Sequence, residues 1–306
     1  MEHHHHNGHE GHEVHPVEAL RFSIMLLAGT LVIEVAGGLL AGSLALLADA
    51  GHVFMDLFAL TISLGAVLLA RRPPTAMRTY GWHRAEILAA LINGLLLTGL
   101  AFVLFREAWL RIQEPRQVLA MPMLAVAVLG LGINILVAFR LHGSHTPDLN
   151  IHSAYLHVLG DTLASAGVVI AAIVIRLTGW YIIDPLMSIV IAVLIVAGAL
   201  RLMMRAGHVL LESVPFGMSL HSVAEAIRKV EGVNDVHDIH IWTVCSHIIS
   251  LSCHVNIDWK SAEDHDRVVK AIADMLHRKF CIVHSTIQVD YKNCGNSVVT
   301  DDMKHH

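Results

Sequence analysis

The sequence predicts a membrane all-α bundle of six transmembrane helices, followed by a small cytoplasmic α+β domain of ferredoxin-like order, α-β-β-α-β. Three observations predict it. The 306 residues are 55% hydrophobic against 15% charged, with a mean hydropathy of +0.58, a composition displaced from soluble globular proteins toward the membrane class. Lysine is confined to one end: Lys229, Lys260, Lys270, Lys279, Lys292 and Lys304 all lie beyond residue 228, and none precedes it. Six apolar stretches each approach the ~20 residues a helix needs to cross a hydrocarbon core of ~30 Å.

The elements follow in order. Residues 1–16 form a His-rich tail, with His at 3–6, 9, 12 and 15; its continuation as NGHEGHEVH favours native sequence over a tag remnant. The first span lacks a basic leader and a cleavage site, so it is expected to stay in the membrane. Within a membrane domain of residues 17–206, the spans are Phe22–Leu40, Leu44–Ala70, Ala85–Leu104, Val118–Leu141, Tyr155–Leu177 and Ile182–Met204. Arginine sets their direction. Arg21, Arg71, Arg72, Arg78, Arg84, Arg140, Arg201 and Arg205 flank one side, against Arg106, Arg111, Arg116 and Arg176 on the other, which places both termini in the cytoplasm.

Beyond Arg205 the pattern changes to a small domain over residues 207–292, followed by a tail over 293–306. Residues 219–230 and 264–280 read as amphipathic helices, and 236–244, 248–258 and 282–290 as partly alternating strands. Under ~90 residues is small for a lone domain, and pairing with a second copy would help bury its surface. Cys245, Cys253, Cys281 and Cys294 all fall at this end without a C-x-x-C pair, and a reducing compartment argues against disulfides. The first three read as buried or idle thiols, and Cys294 as an accessory metal ligand at most.

The chemistry lies in two of the apolar spans. HVFMD (52–56) and HVLGD (157–161) each carry a histidine and an aspartate four residues apart. On a helix those positions share a face. Ionisable groups within a membrane are costly and turn toward a partner, a cavity or the bundle interior. If spans two and five pack together, His52, Asp56, His157 and Asp161 converge as two imidazole nitrogens and two carboxylates. Such a set of net charge −2 suits tetrahedral Zn2+, with Co2+ or Cd2+ as further candidates, rather than the all-oxygen sites of Mg2+ or Ca2+. The competing reading, two hydrogen-bonded polar pairs that serve packing, must invoke the same spacing twice. Asp49, one turn before His52, reads as a group behind the ligands or at the helix start.

Further stretches carry a resemblance. SLALLADAGHVFMD (43–56), YGWHRAEILAALING (80–94), AYLHVLGDTLASAGVVIAA (154–172), LLESVP (210–215) and VHDIHIW (236–242) resemble the signatures of the cation diffusion facilitators, in particular their zinc-transporting branch. The likeness covers nearly the whole chain. It implies a homodimeric, proton-coupled zinc exporter with a metallochaperone-like cytoplasmic domain, and places the transport site on His52, Asp56, His157 and Asp161. It also implies cytoplasmic metal positions at His237, His254, His284 and Asp290, where zinc would act as a regulatory ligand, and an interfacial one at His83. For His83 an interfacial polar role is an equal reading, since no carboxylate lies between Ala70 and His83. The family's long His-rich loop after span four is abbreviated here to His142, His145 and His152.

The resemblance excludes little that the residues do not. An enzyme of the H-E-x-x-H type is not expected, because that motif is absent. A metal channel could use the same ligands, but a tight four-ligand site would slow conduction; a membrane-bound metal sensor would leave the intramembrane pairs without purpose. The expected partners are Zn2+, protons as counter-ion, the lipid bilayer of the cell's inner or plasma membrane and a second copy of the chain, with no nucleic acid.

Overall fold

The computed structural model describes residues 16–142, 149–245, 248–257 and 262–290, with side chains over 25–139, 159–245, 248–257 and 264–290. The N-terminal histidines, His145 and Cys294 lie outside the described residues, as do the side chains of His142, His152 and His157. Six long helices come first: α1 (Pro16–Ala41), α2 (Leu44–Ala70), α3 (Ala85–Gln113), α4 (Ala120–His142), α5 (Leu149–Thr178) and α6 (Ile183–Leu210). Five of them, α2 to α6, are long and apolar enough to cross a membrane, and α1 adds a shorter apolar stretch over Met25–Ala41. At 27 residues, α2 extends about 40 Å, more than the thickness of the hydrocarbon. The bounds of α2 match the expected span. The helix α3 runs on past Leu104 to Gln113, because its polar end stays helical with Arg111 paired to Glu107 one turn back at 3.2 Å.

The chain divides into two compact units, one comprising the described residues up to Leu60 with Leu96–Gly198, the other Thr61–Leu95 with the residues from Ala199 onward. In the first unit, α4 packs closely on α5 and α1. Its buried positions are mostly small: Ala45, Ala48, Ala101, Ala108, Ala171 and Ala192 are all at most 1% exposed, while Leu40, Phe102 and Leu177 point outward at over 70%. That inversion of the soluble pattern is expected where lipid solvates the large side chains and small residues let backbones approach. A Cβ at Gly37 of α1 would lie 2.9 Å from Val126 Cγ1 and 3.0 Å from Val126 Cβ of α4, so glycine is what allows α1 and α4 to come together there.

The turn between α1 and α2 depends on Gly42, whose φ of +67° disfavours a side chain. Asp184 of α6, fully buried, caps the start of α2. Its carboxylate accepts from Ser43 Oγ (2.5 Å), Leu44 N (2.7 Å) and Ala45 N (3.1 Å), which satisfies amide groups that a helix start leaves open. Arg111 stands 3.6 Å from Asp184 and donates to Gly42 O at 2.6 Å. The N-terminal end of α2 is therefore held by α6 and α3 of the same unit.

The second unit contains the small α+β fold in the expected order: α7 (Leu220–Arg228), β1 (Val233–Cys245), β2 (Ile248–Ile257), α8 (Ala262–Phe280) and β3 (Ile282–Asp290). Ser219 caps α7, its side chain accepting from Ser222 N. The sheet order is β1-β2-β3, with β1 antiparallel and β3 parallel to β2. Val268, Ile272 and Leu276, four residues apart along α8, join Val223 and Ile227 of α7 and Leu251, Cys253, Val255 and Ile257 of β2 in one core. Truncating Leu276 to Ala would cost about 2–5 kcal/mol.

A bulge shapes this sheet's other face. The β1 register shifts between His237 and His240, and Asp238 there has a φ of 50°. The extra residue lets Val236 and Ile239, three apart, both enter the core, where strict alternation would send one of them outward. Asp tolerates this left-handed conformation better than most residues. His237, His240, His254 and Asp290 are thereby left on the face away from the helices.

Candidate metal centres

Among the described residues, two groups of three or more His, Cys, Asp or Glu side chains stand close enough to hold a metal ion. The first lies within the apolar helices. His52 Nε2 is 3.1 Å from Asp161 Oδ1 and 3.7 Å from Asp56 Oδ2, and the three side chains are 20–25% exposed. Two ligands on one tetrahedral zinc stand about 3.3 Å apart when the bonds are ~2.0–2.1 Å. The observed separations therefore bracket what one ion would impose. His52 and Asp56 share a face of α2, and Asp161 reaches them from α5. His157 lies four residues before Asp161 on the same helix.

Behind these donors lies a polar layer that the i, i+4 reading does not identify. Ser165 Oγ donates to Asp49 Oδ2 at 2.9 Å, and Asn134 Nδ2 donates to Ser165 Oγ at 3.0 Å. Asp49 is 4% and Ser165 1% exposed. Glu34, also buried, has one carboxylate oxygen, Oε2, with no hydrogen-bond partner among the described residues. The signal that could have marked Glu34 and Asn134 is their polarity inside apolar runs; Ser165 carried none by itself.

The second group is on the helix-free face of the sheet. His237 and His254 are directly opposed across β1 and β2, with ring centroids 5.5 Å apart. Asp290 Oδ2, from the end of β3, lies 3.0 Å from His254 Nδ1 and 3.2 Å from His237 Nε2. Burial alone would raise the Asp290 carboxyl. Hydrogen bonds with Gln288 and His254, and the neighbouring His254 and His237, outweigh that and hold it below the usual carboxylate range. Two imidazole nitrogens and an ionised carboxylate at these separations fit a zinc ion, and the buried His237 Nδ1 has no partner among the described residues. Asp238 adds a second carboxylate: its Oδ2 is 3.5 Å from His254 Nε2 and its Oδ1 2.9 Å from His240 Nε2.

His284 stands apart from this group. It is exposed and pairs with Ser250, six residues before Asp290 along β3, a distance of about 20 Å on an extended strand. Its ring meets Tyr80 edge-on at 6.1 Å. His83 Nδ1 is 3.7 Å from Cys245 Sγ, and among the described residues neither belongs to a group of three donors. Cys245 and Cys253 are buried free thiols and Cys281 is an exposed one. Burial pushes the Cys253 thiol up to about 12, which makes it inert rather than a ligand.

Comparison with known proteins adds the family. The chain matches the cation efflux transmembrane domain over residues 20–211 and the cation efflux protein cytoplasmic domain over residues 216–292. It is 39% identical over 295 residues to the zinc transporter ZitB of Escherichia coli, covering 94% of this chain and 93% of that protein. The metal cation efflux system protein CzcD of Cupriavidus metallidurans is 39% identical over 276 residues, 90% of this chain and 87% of that protein. A cadmium, cobalt and zinc/H(+)-K(+) antiporter of Bacillus subtilis is 37% identical over 276 residues, 89% of this chain and 88% of its own. Matched along nearly its whole length in both its apolar helices and its sheet domain, the chain belongs to the cation efflux family, the cation diffusion facilitators, which are multi-pass membrane transporters of metal cations and not enzymes.

Proposed function

We propose that this protein exports Zn2+ in exchange for protons, through a tetrahedral site made by His52, Asp56, His157 and Asp161 near the middle of α2 and α5. The observation that carries the reading is the convergence of His52, Asp56 and Asp161 at ligand distances inside membrane-crossing helices, with His157 one turn from Asp161. The donor set is neutral once a dication occupies it, which lets the cargo sit within a low-dielectric bundle. A rearrangement of the helices would then open that site to each side of the membrane in turn. Co2+ and Cd2+ are further substrates, a reading supported by the name of the Bacillus relative.

The protein works as a homodimer with both termini in the cytoplasm, in the inner or plasma membrane; the bacterial relatives support that placement. Residues 17–206 carry transport and 207–292 form a regulatory domain, in which zinc held by His237, His254 and Asp290 stabilises the folded dimer. His284 and His83 are candidate ligands outside that three-donor group. Purified protein in sealed vesicles with an internal zinc dye tests the reading. Zinc uptake should exceed that of protein-free vesicles and respond to a proton gradient; uptake at the protein-free rate would refute it.

A further inference from the structure

We infer that the hydrogen-bonded bridge Asp49–Ser165–Asn134 is a positioning device that fixes α2 against α5 and so sets the ligand spacing and metal preference of the transport site. The inference rests on the proposed transport site and adds residues that touch no metal. Along α2, His52 comes three residues after Asp49, and along α5, Asp161 comes four residues before Ser165. The Asp49–Ser165 contact is therefore the neighbouring rung to His52–Asp161, about one helical turn or ~5 Å away. The two helices run antiparallel at this level, each rung joining one residue of α2 to one of α5.

The bridge is needed because of what holds each helix. The close packing in this unit is α4 on α5 and α1 on α4. By contrast α2 meets α5 through polar side chains, and one of those contacts, His52 to Asp161, is between metal donors that must separate and close as cargo comes and goes. Asp49 to Ser165 is a tie that cargo does not displace. Asn134 extends it to α4, so that the hydroxyl of Ser165 accepts one bond and donates another. Asp49 and Ser165 are both nearly inaccessible, which shields the contact between them from solvent.

Metal affinity is sensitive to such support. Ligand positions must hold to about ±0.2 Å, and losing a group that orients a ligand costs about 10–100-fold in metal affinity. A loosened α2 would widen the distance from His52 and Asp56 to Asp161. The larger Cd2+ tolerates that better than Zn2+, because selectivity among these ions is geometric.

The test uses the full chain in sealed vesicles, with initial rates of Zn2+ and Cd2+ uptake over a range of concentrations. Ser165→Ala should raise KM for Zn2+ about 10–100-fold, leave the maximal rate within about threefold, and lower the Zn2+ to Cd2+ preference about tenfold. Ser165→Thr restores the hydroxyl and should restore KM and preference. Asn134→Ala should shift both in the same direction by less. Wild-type KM and metal preference in Ser165→Ala and Asn134→Ala would overturn the inference. So would equal losses in Ser165→Ala and Ser165→Thr, which mark a packing effect. Should Ser165→Ala fail to yield folded protein, the Asn134→Ala and Ser165→Thr pair decides alone. Asp161→Ala runs in parallel: full zinc uptake there removes the transport site itself, and the inference with it, whereas lost uptake beside an unaffected Ser165→Ala removes the bridge only.

Discussion

His52 on α2 and Asp161 on α5 meet at 3.1 Å, imidazole nitrogen to carboxylate oxygen. Without an ion the contact satisfies both groups as a hydrogen bond, and with one it becomes two ligands on a common centre. Asp161→Ala leaves the four proposed ligands with three and their net charge at −1. Zinc flux in vesicles should fall at least ~100-fold, equivalent to about 2.7 kcal/mol, while the protein still elutes as a folded species. Asp56→Ala should behave alike. Flux within about twofold of wild type in Asp161→Ala would take that residue out of the site.

Metal choice should follow ligand chemistry. His52→Asp exchanges a borderline nitrogen donor for a harder oxygen and makes the set more anionic. The competition order in a flux panel should move from Zn2+ toward Mn2+, which carboxylate oxygen suits. An unchanged order would mean that His52 does not set selectivity.

These predictions use residues that the sequence marks by repetition. His52, Asp56 and Asp161 are legible because a four-residue spacing means one helix face wherever it occurs. The span Leu44–Ala70 is legible because the Ala-Gly-Ser turn and the Arg-Arg-Pro-Pro run bound it. The end of α3 is not, since hydropathy falls at Arg106 while the helix continues to Gln113. Ser165 and Asn134 are hidden for a different reason: which residues of two helices face each other depends on packing register, which no local pattern encodes. The bulge at Asp238 depends likewise on two strands at once. Family likeness groups His284 with His237, His254 and Asp290, yet the parallel register of β3 sets it opposite Ser250.

In the sheet domain, zinc should raise the melting temperature of the full chain, because a ligand that binds only the folded state shifts the equilibrium toward it by mass action. His254→Ala removes the donor that bonds Asp290 at 3.0 Å, and should reduce the zinc-dependent shift by more than half. To isolate this domain the comparison is made in an Asp161→Ala background. Equal shifts with and without His254 would place the stabilising metal elsewhere.

Asp290 also predicts an acid limb. Its carboxyl binds protons less readily in the folded protein than in the unfolded chain. Its contribution to stability is therefore complete above the unfolded value of about 4 and disappears as pH falls through the lower folded value. In chelator, the stability difference between wild type and Asp290→Asn should stay constant from neutral pH to about pH 4 and collapse below it. A difference that fades already between pH 7 and pH 5 would implicate other groups.

The last prediction concerns coupling. Zinc binds neutral imidazoles and ionised carboxylates, so at the proposed site of His52, Asp56, His157 and Asp161 protons and Zn2+ should compete for the same donors. Histidine is the side chain that ordinarily changes charge between pH 5 and 8. When zinc leaves on the outer side, Asp56 and Asp161 remain close to one another and to His52 in a poorly solvated bundle. Protons should neutralise that charge and allow the empty carrier to return. Cytoplasmic zinc should then displace them, and in the proposed cycle zinc moves out as protons move in. Vesicles containing a pH dye should report proton movement opposite to zinc. A proton gradient directed against zinc movement should accelerate uptake, and collapsing it should remove the acceleration. Zinc moving at one rate with the gradient imposed, collapsed or reversed, and without proton counter-flow, would leave a facilitated carrier as the mechanism.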